Sequence, residues 1–286
     1  MQLVRVLLPI DQRGTTEACA AAAFALARRF RIEVEVLHTC PHAGHLLPYS
    51  SSGLSPFSSP SYPDPFVTQE VIEVEREQTS LAKRRAKAWW KKTAKTFPMV
   101  PATFASREGL VSTLVAMHAR LADFSIVPTV SEAEDTFWTD VREGALLSSG
   151  RPMLVVPPEA THHRADTVVL AWKDRPEAVR AIVAAAPFLA KAKLVRVISV
   201  AETDQDESSL TEITNYLCRA GVAAEATIVP QSSREAGELL VAEAGKYKAA
   251  MLVMGAYGHS RLREWAFGGA TNYVLRDATV PVMMMH

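Results

Sequence analysis

Three glycines spaced as Gly255-x2-Gly258-x9-Gly268 stand in the last third of the chain, between an apolar run, Ala249 to Val253 followed by Met254, and a helically patterned stretch, Asn272 to Arg276. A strand that enters a glycine loop and then starts a helix is suited to holding an anion. Glycine lets the backbone come close to a ligand, and the first turn of a helix offers unpaired N–H groups with a partial positive charge. The anion held in this way is most often a phosphate. The spacing is neither the dinucleotide fingerprint nor the Walker loop, since no Gly-Lys-Ser/Thr follows. The competing reading is purely structural, with Gly255 and Gly258 turning the chain and Gly268-Gly269 breaking a helix.

Other side chains able to do chemistry are fewer. His259 lies inside the glycine loop, and Arg261 and Arg263 follow as candidates for bidentate contact with phosphate oxygens. Trp265 and Phe267 are expected to pack the loop against the fold. His38, Cys40, His42 and His45 could ligate a soft metal, but their spacing matches no zinc signature, so solvated loop histidines and no metal site are expected. Gly-x-Ser-x-Gly is absent and no Ser/His/Asp arrangement can be assigned. Cys19, Cys40 and Cys218 are far apart and odd in number, which suggests idle thiols.

These groups sit in a chain of 286 residues, 48% hydrophobic and 22% charged, the composition of a soluble globular protein with room for two domains. Lys plus Arg and Asp plus Glu number 31 each, so no overall field draws it to nucleic acid or to an anionic membrane. Met1 to Pro9 is too short and too soon interrupted for a secretory leader, and no run of about 18 apolar residues occurs; the expected location is the cytoplasm.

Strand and helix patterns alternate. Leu3 to Ile10, a helix from Thr15 to Phe30 and a strand from Ile32 to His38 open the chain as a βαβ unit, which calls for a parallel sheet. A Pro/Ser/Gly-rich loop covers 41–66. Val67 to Lys95 reads as a long amphipathic helix with Val67, Val71, Val74, Leu81 and Trp89 on its apolar face and a solvated basic run from Lys83 to Lys95. Strands follow at Ala102 to Ser106, Phe124 to Pro128 and Arg151 to Pro158, with helical patterns over Leu110 to Arg120 and Arg142 to Ser149.

After 159–165, read as a linker, the order restarts. Val168 to Asp174 echoes Val6 to Asp11, with Asp174 taken as the counterpart of Asp11, and Val280-Pro281-Val282 echoes Arg151-Pro152-Met153. Between them, Pro176 to Ala192, Ser208 to Ala220 and Ala236 to Lys246 read as helices, and Leu194 to Val200 and Ala223 to Val229 as strands. This recurrence predicts two α/β units, 1–158 and 166–286, each a doubly wound parallel sheet with its ligand site at the carboxyl ends of the strands.

With Gly255, Gly258 and Gly268 after a strand ending in Met254, and a closing Val280-Pro281-Val282-Met283 strand, the chain resembles the universal stress protein family in its tandem-domain form. The resemblance implies Rossmann-like domains of the adenine nucleotide alpha hydrolase type. It implies ATP or a related adenine nucleotide, with magnesium, at the strand ends. Val200 would then lie near the adenine, Gly255 and Gly258 near ribose and phosphates, and Gly268 with Gly269 at the phosphates; Asp174, Met254, His259, Ala270 and Thr271 complete the expected nucleotide-binding set. It also implies antiparallel pairing of Met153 to Val156 with Val282 to Met285 as an internal pseudo-dimer, and leaves room for a homodimer.

Two departures stand out. Nucleotide-binding members carry Ser or Thr after the third glycine, where this chain has Gly269, with Thr271 as a substitute hydroxyl; and the family's Asp falls at either Lys173 or Asp174. The first unit retains only Gly144 of the motif, so a single pocket is expected, in the second unit. The expected role is a non-enzymatic regulatory nucleotide binder of stress response, with slow ATP hydrolysis a weaker option. The alternative is a nucleotide-free module for a small ligand or protein partner.

Overall fold

Short apolar runs rich in Val, Leu and Ile build the central strands, which are buried on both faces as parallel strands require, while the two edge strands, at 102–108 and 224–230, stay partly exposed. The computed structural model describes residues 3–40, 69–129, 136–158, 166–201, 204–230, 235–256 and 269–286. The first unit contains β1 (Arg5–Ile10), α1 (Glu17–Phe30), β2 (Glu33–Cys40), α2 (Gln69–Thr96), β3 (Ala102–Glu108), α3 (Val111–Ala119), β4 (Phe124–Pro128), α4 (Thr136–Arg142) and β5 (Met153–Val156). α4 runs on into a π-helical turn, Glu143–Leu147. The second unit contains β6 (Thr167–Ala171), α5 (Pro176–Leu189), β7 (Leu194–Ala201), α6 (Asp204–Arg219), β8 (Ala224–Pro230), α7 (Ala236–Lys246), β9 (Met251–Gly255), α8 (Gly269–Asp277) and β10 (Val282–Met285).

All ten strands join one sheet in the order β3-β2-β1-β4-β5-β10-β9-β6-β7-β8. Each half is parallel throughout, and the halves meet where β5 and β10 run antiparallel, with Met283 opposite Leu154. Two apolar layers flank the sheet. One collects residues of α1, α2, α5 and α6, the other residues of α3, α4, α7 and α8, and both continue across the junction. Phe188 of α5 packs edge-on against Phe30 of α1 and Phe124 of β4, which ties the two halves on the first face.

The repeat is visible in individual hydrogen bonds. Asp123 N donates to Arg5 O and Ala250 N to Thr167 O; Ser125 N donates to Pro152 O and Leu252 N to Pro281 O; Thr129 N donates to Val156 O and Ala256 N to Met285 O. The same bond pattern recurs at the same steps of both halves, prolines included. This register corrects one expectation. With Arg5 matched to Thr167, Asp11 falls on Lys173 and not on Asp174, because strand pairing counts residues one by one and allows no gap before the strand ends.

A second correction concerns α2. Val74 and Leu81, expected on the apolar face, are 53% and 43% exposed, whereas Ala86 is fully buried and Trp89 and Trp90 pack on the core. The helix has 28 residues against strands of four to eight, so only its second half lies on the sheet. Val67 lies outside the described residues. The helical pattern placed at Arg142 to Ser149 begins earlier, at Thr136, and includes the π turn, a rare single-turn form that occurs mostly inside α-helices.

Among the described residues no helix is long and apolar enough to cross a membrane.

Candidate functional site

The carboxyl ends of β6, β7 and β9 form one edge of the sheet, and the first turns of α5 and α8 open there. Trp172 continues the β6 ladder by donating its N–H to Ile198 O at 2.7 Å, and its indole Nε1 donates to Ser209 Oγ at 2.7 Å. The ring is thereby committed to the core beneath α6. Lys173, Asp174 and Arg175 follow it, all exposed, and neither Lys173 nor Asp174 has a polar partner among the described residues. Val200 lies half-buried at the end of β7, on the same edge.

Met254 is buried, and Gly255 ends β9 against the first turn of α5. A Cβ on Gly255 would stand 2.7 Å from Ala178 N and 2.8 Å from Glu177 C, both backbone atoms. The close approach that requires glycine here is therefore one of helix to strand. Gly258, His259 and Gly268, like Arg261 and Arg263, lie outside the described residues.

α8 begins at Gly269. Gly269 is exposed and Ala270 half-buried, while Thr271 is only 5% exposed, on the buried side of the helix with Val274 and Leu275. Thr271, expected as a substitute hydroxyl, has its side chain on the packed face. α7 crosses α8 tightly, and a Cβ on Gly237 would meet Ala270 O at 2.6 Å. Glu235, at the N-cap of α7, makes no side-chain cap to its own helix. Its carboxylate lies beside Gly269 instead, with Oε2 3.2 Å from the place a Cβ would take. No spacing rule pointed to Glu235, because α7 is linked to α8 only through the tertiary fold.

The same edge of the first half is built differently. Asp11 N donates to Gly14 O at 2.9 Å and Gly14 N returns a bond to Asp11 O at 3.1 Å, closing the turn after β1. The Asp11 carboxylate accepts from Arg13 N at 2.6 Å and Arg13 Nε at 3.0 Å. Gly14 has φ +105°, and a Cβ there would fall within 2.3 Å of the Trp89 indole. Gly144, read as the remnant of the glycine motif, has another cause. A Cβ on it would stand 2.3 Å from Ser112 O, so this glycine serves the crossing of α3 with the π turn, as Gly237 serves α7 with α8.

His38, 1% exposed, has Nδ1 3.0 Å from Ser106 Oγ at the ends of β2 and β3. Burial pulls its pKa below the ordinary 6.5, opposed by Asp11 and reinforced by Lys83. Among the described residues no group of three or more His, Cys, Asp or Glu could hold a metal ion, and His42 and His45 lie outside them. Burial also pushes the Cys19 thiol up to about 11 and the Cys40 thiol upward, so neither is a ready thiolate.

The lowered His38 pKa has a measurable consequence. Below pH 6.5 the unfolded chain takes up a proton that the folded chain refuses, so stability falls with falling pH from 6.5 toward the folded pKa. Urea unfolding at pH 5 and pH 7.5 is expected to show a smaller difference for His38→Gln than for the unsubstituted protein. An unchanged difference would assign the pH dependence to other groups.

A ten-stranded sheet of two doubly wound halves, with helix N-termini gathered at the strand ends, defines a class of tandem α/β proteins. The family profile described as the Universal stress protein family matches residues 164–286. A universal stress protein from Archaeoglobus fulgidus DSM 4304 superposes over 100% of this chain and 99% of its own, with TM-score 0.67 and 17% identity. A functionally unknown protein from Pseudomonas aeruginosa PAO1 covers 99% of this chain and 92% of its own, with TM-score 0.53 and 13% identity. At such identities the likeness is one of fold, over the whole chain. No curated protein sequence matches.

Proposed function

We propose that the second unit binds ATP or a related adenine nucleotide at its strand ends and that binding serves regulation, in a response of the stress type, without catalysis. One observation carries the reading. In the family-matched domain, β9 ends at Gly255 on the carboxyl edge of the sheet, and α8 opens again at Gly269, with the Gly258 and Gly268 motif positions between them. The first N–H groups of α8 are the anion donors, and Gly269 leaves them uncovered by any side chain of its own. Asp174 and Val200 border the base end, and Lys173 adds a cation where the register calls for a carboxylate. Magnesium would find oxygen ligands in the phosphates and in Glu235.

The second reading, a nucleotide-free module for a small ligand or protein partner, is favoured by the packing of Gly255 on Ala178, which explains that glycine without a ligand. Mass spectrometry of nucleotides released from freshly purified protein, followed by calorimetric titration with ATP and magnesium, separates the two. Nucleotide binding is the expected result; its absence by both methods leaves the second reading standing.

A further inference from the structure

We infer that Glu235 sets how many phosphates the site accepts, disfavouring each added negative charge, so that a nucleoside monophosphate binds more readily than the triphosphate when divalent cations are absent. The inference rests on the nucleotide reading above. Three observations carry it.

Glu235 occupies the position from which a side chain caps α7, yet it makes no cap there. Its carboxyl group supplies the three nearest atoms to a Cβ placed on Gly269, at 3.2, 3.5 and 3.7 Å. The space that a Ser or Thr side chain would fill at position 269 is thus bordered by a carboxylate. Gly237 lets α7 approach α8 closely, since a Cβ there would meet Ala270 O at 2.6 Å, and this close crossing brings Glu235 beside Gly269.

The chemistry follows from charge. A hydroxyl at position 269 would donate to a phosphate oxygen, whereas a carboxylate there can only accept. A phosphate drawn to the first turn of α8 meets attraction from the helix amides and repulsion from Glu235 together. The attraction is satisfied by one phosphate, but the repulsion grows with every charge the ligand carries. Glu235 is exposed, so solvent screens it and the penalty is moderate, on the order of threefold to tenfold in the affinity ratio.

The test is calorimetric titration of AMP and ATP, in EDTA at low ionic strength, into the unsubstituted protein, Glu235→Gln and Glu243→Gln. Glu243 lies eight residues along α7, about 12 Å away by helical rise, and its loss changes the net charge equally. Glu235→Gln is expected to raise ATP affinity relative to AMP by roughly threefold to tenfold, while Glu243→Gln leaves the ratio unchanged. Circular dichroism melts confirm that the variants fold. An unchanged ratio in Glu235→Gln, a fall in it, or an equal rise in both variants overturns the inference while the nucleotide reading stands. Failure of AMP and ATP to bind any of the three proteins overturns the nucleotide reading and this inference with it.

Discussion

Gly144→Ala lowers the stability of the protein by about 2–3 kcal/mol, the expected cost of overpacking a close contact, and the melting temperature by roughly 5–10 °C for a chain of this size. The methyl group would stand 2.3 Å from Ser112 O and 3.0 Å from the Ser112 carbonyl carbon and Cα. All three are backbone atoms of α3, so no side chain can swing aside. Alanine is the better helix former by about 1 kcal/mol, which works in the opposite direction. The clash prevails because relieving it means separating α3 from the π turn, and with them the buried Val111, Val115, Val141 and Ala145. Thermal melts or urea unfolding check this, and a variant as stable as the parent would mean that the two helices do not cross so closely. Because its substitution disturbs this packing, Gly144 is no neutral control for ligand binding.

Gly258→Val abolishes nucleotide binding, weakening it on the order of a hundredfold or more, whereas Arg13→Ala in the first half leaves it unchanged. The first part rests on the motif: a valine where the backbone must approach phosphate occupies the cradle and removes the conformational freedom of glycine. The second part rests on the first half's geometry. Its turn after β1 is closed by paired bonds between Asp11 and Gly14, Trp89 covers Gly14, and Asp11 is already engaged by Arg13. Where α8 starts with small residues, the corresponding turn has buried Arg142 and a glycine spent on helix packing. Titration with ATP and magnesium checks both. Equal losses in the two variants would contradict a single pocket, and unaltered binding in Gly258→Val would move the ligand away from the glycine loop.

Much of the architecture was written locally. Phe124 to Pro128 and Ala236 to Lys246 read from pattern alone match β4 and α7, because a buried strand and an amphipathic helix announce themselves within their own few residues. The recurrence of Pro152 and Pro281 before a short apolar run marked the two closing strands, and these lie side by side at the junction of the sheet. The apolar face of α2 was misjudged at Val74 and Leu81 since periodicity tells which residues share a face but not how much of a long helix has a sheet beneath it.

The amino-acid sequence by itself determined the alternation of strands and helices, the duplication and the glycine spacing that marks the candidate cradle, all properties of neighbours along the chain. Only the tertiary structure decided that Lys173 is the counterpart of Asp11, that Gly144 and Gly255 answer to helices packed against them, and that Glu235 borders Gly269. Each of these depends on a register or a crossing between elements distant in sequence, where a shift of one residue reverses what a side chain meets, and no local pattern records that choice.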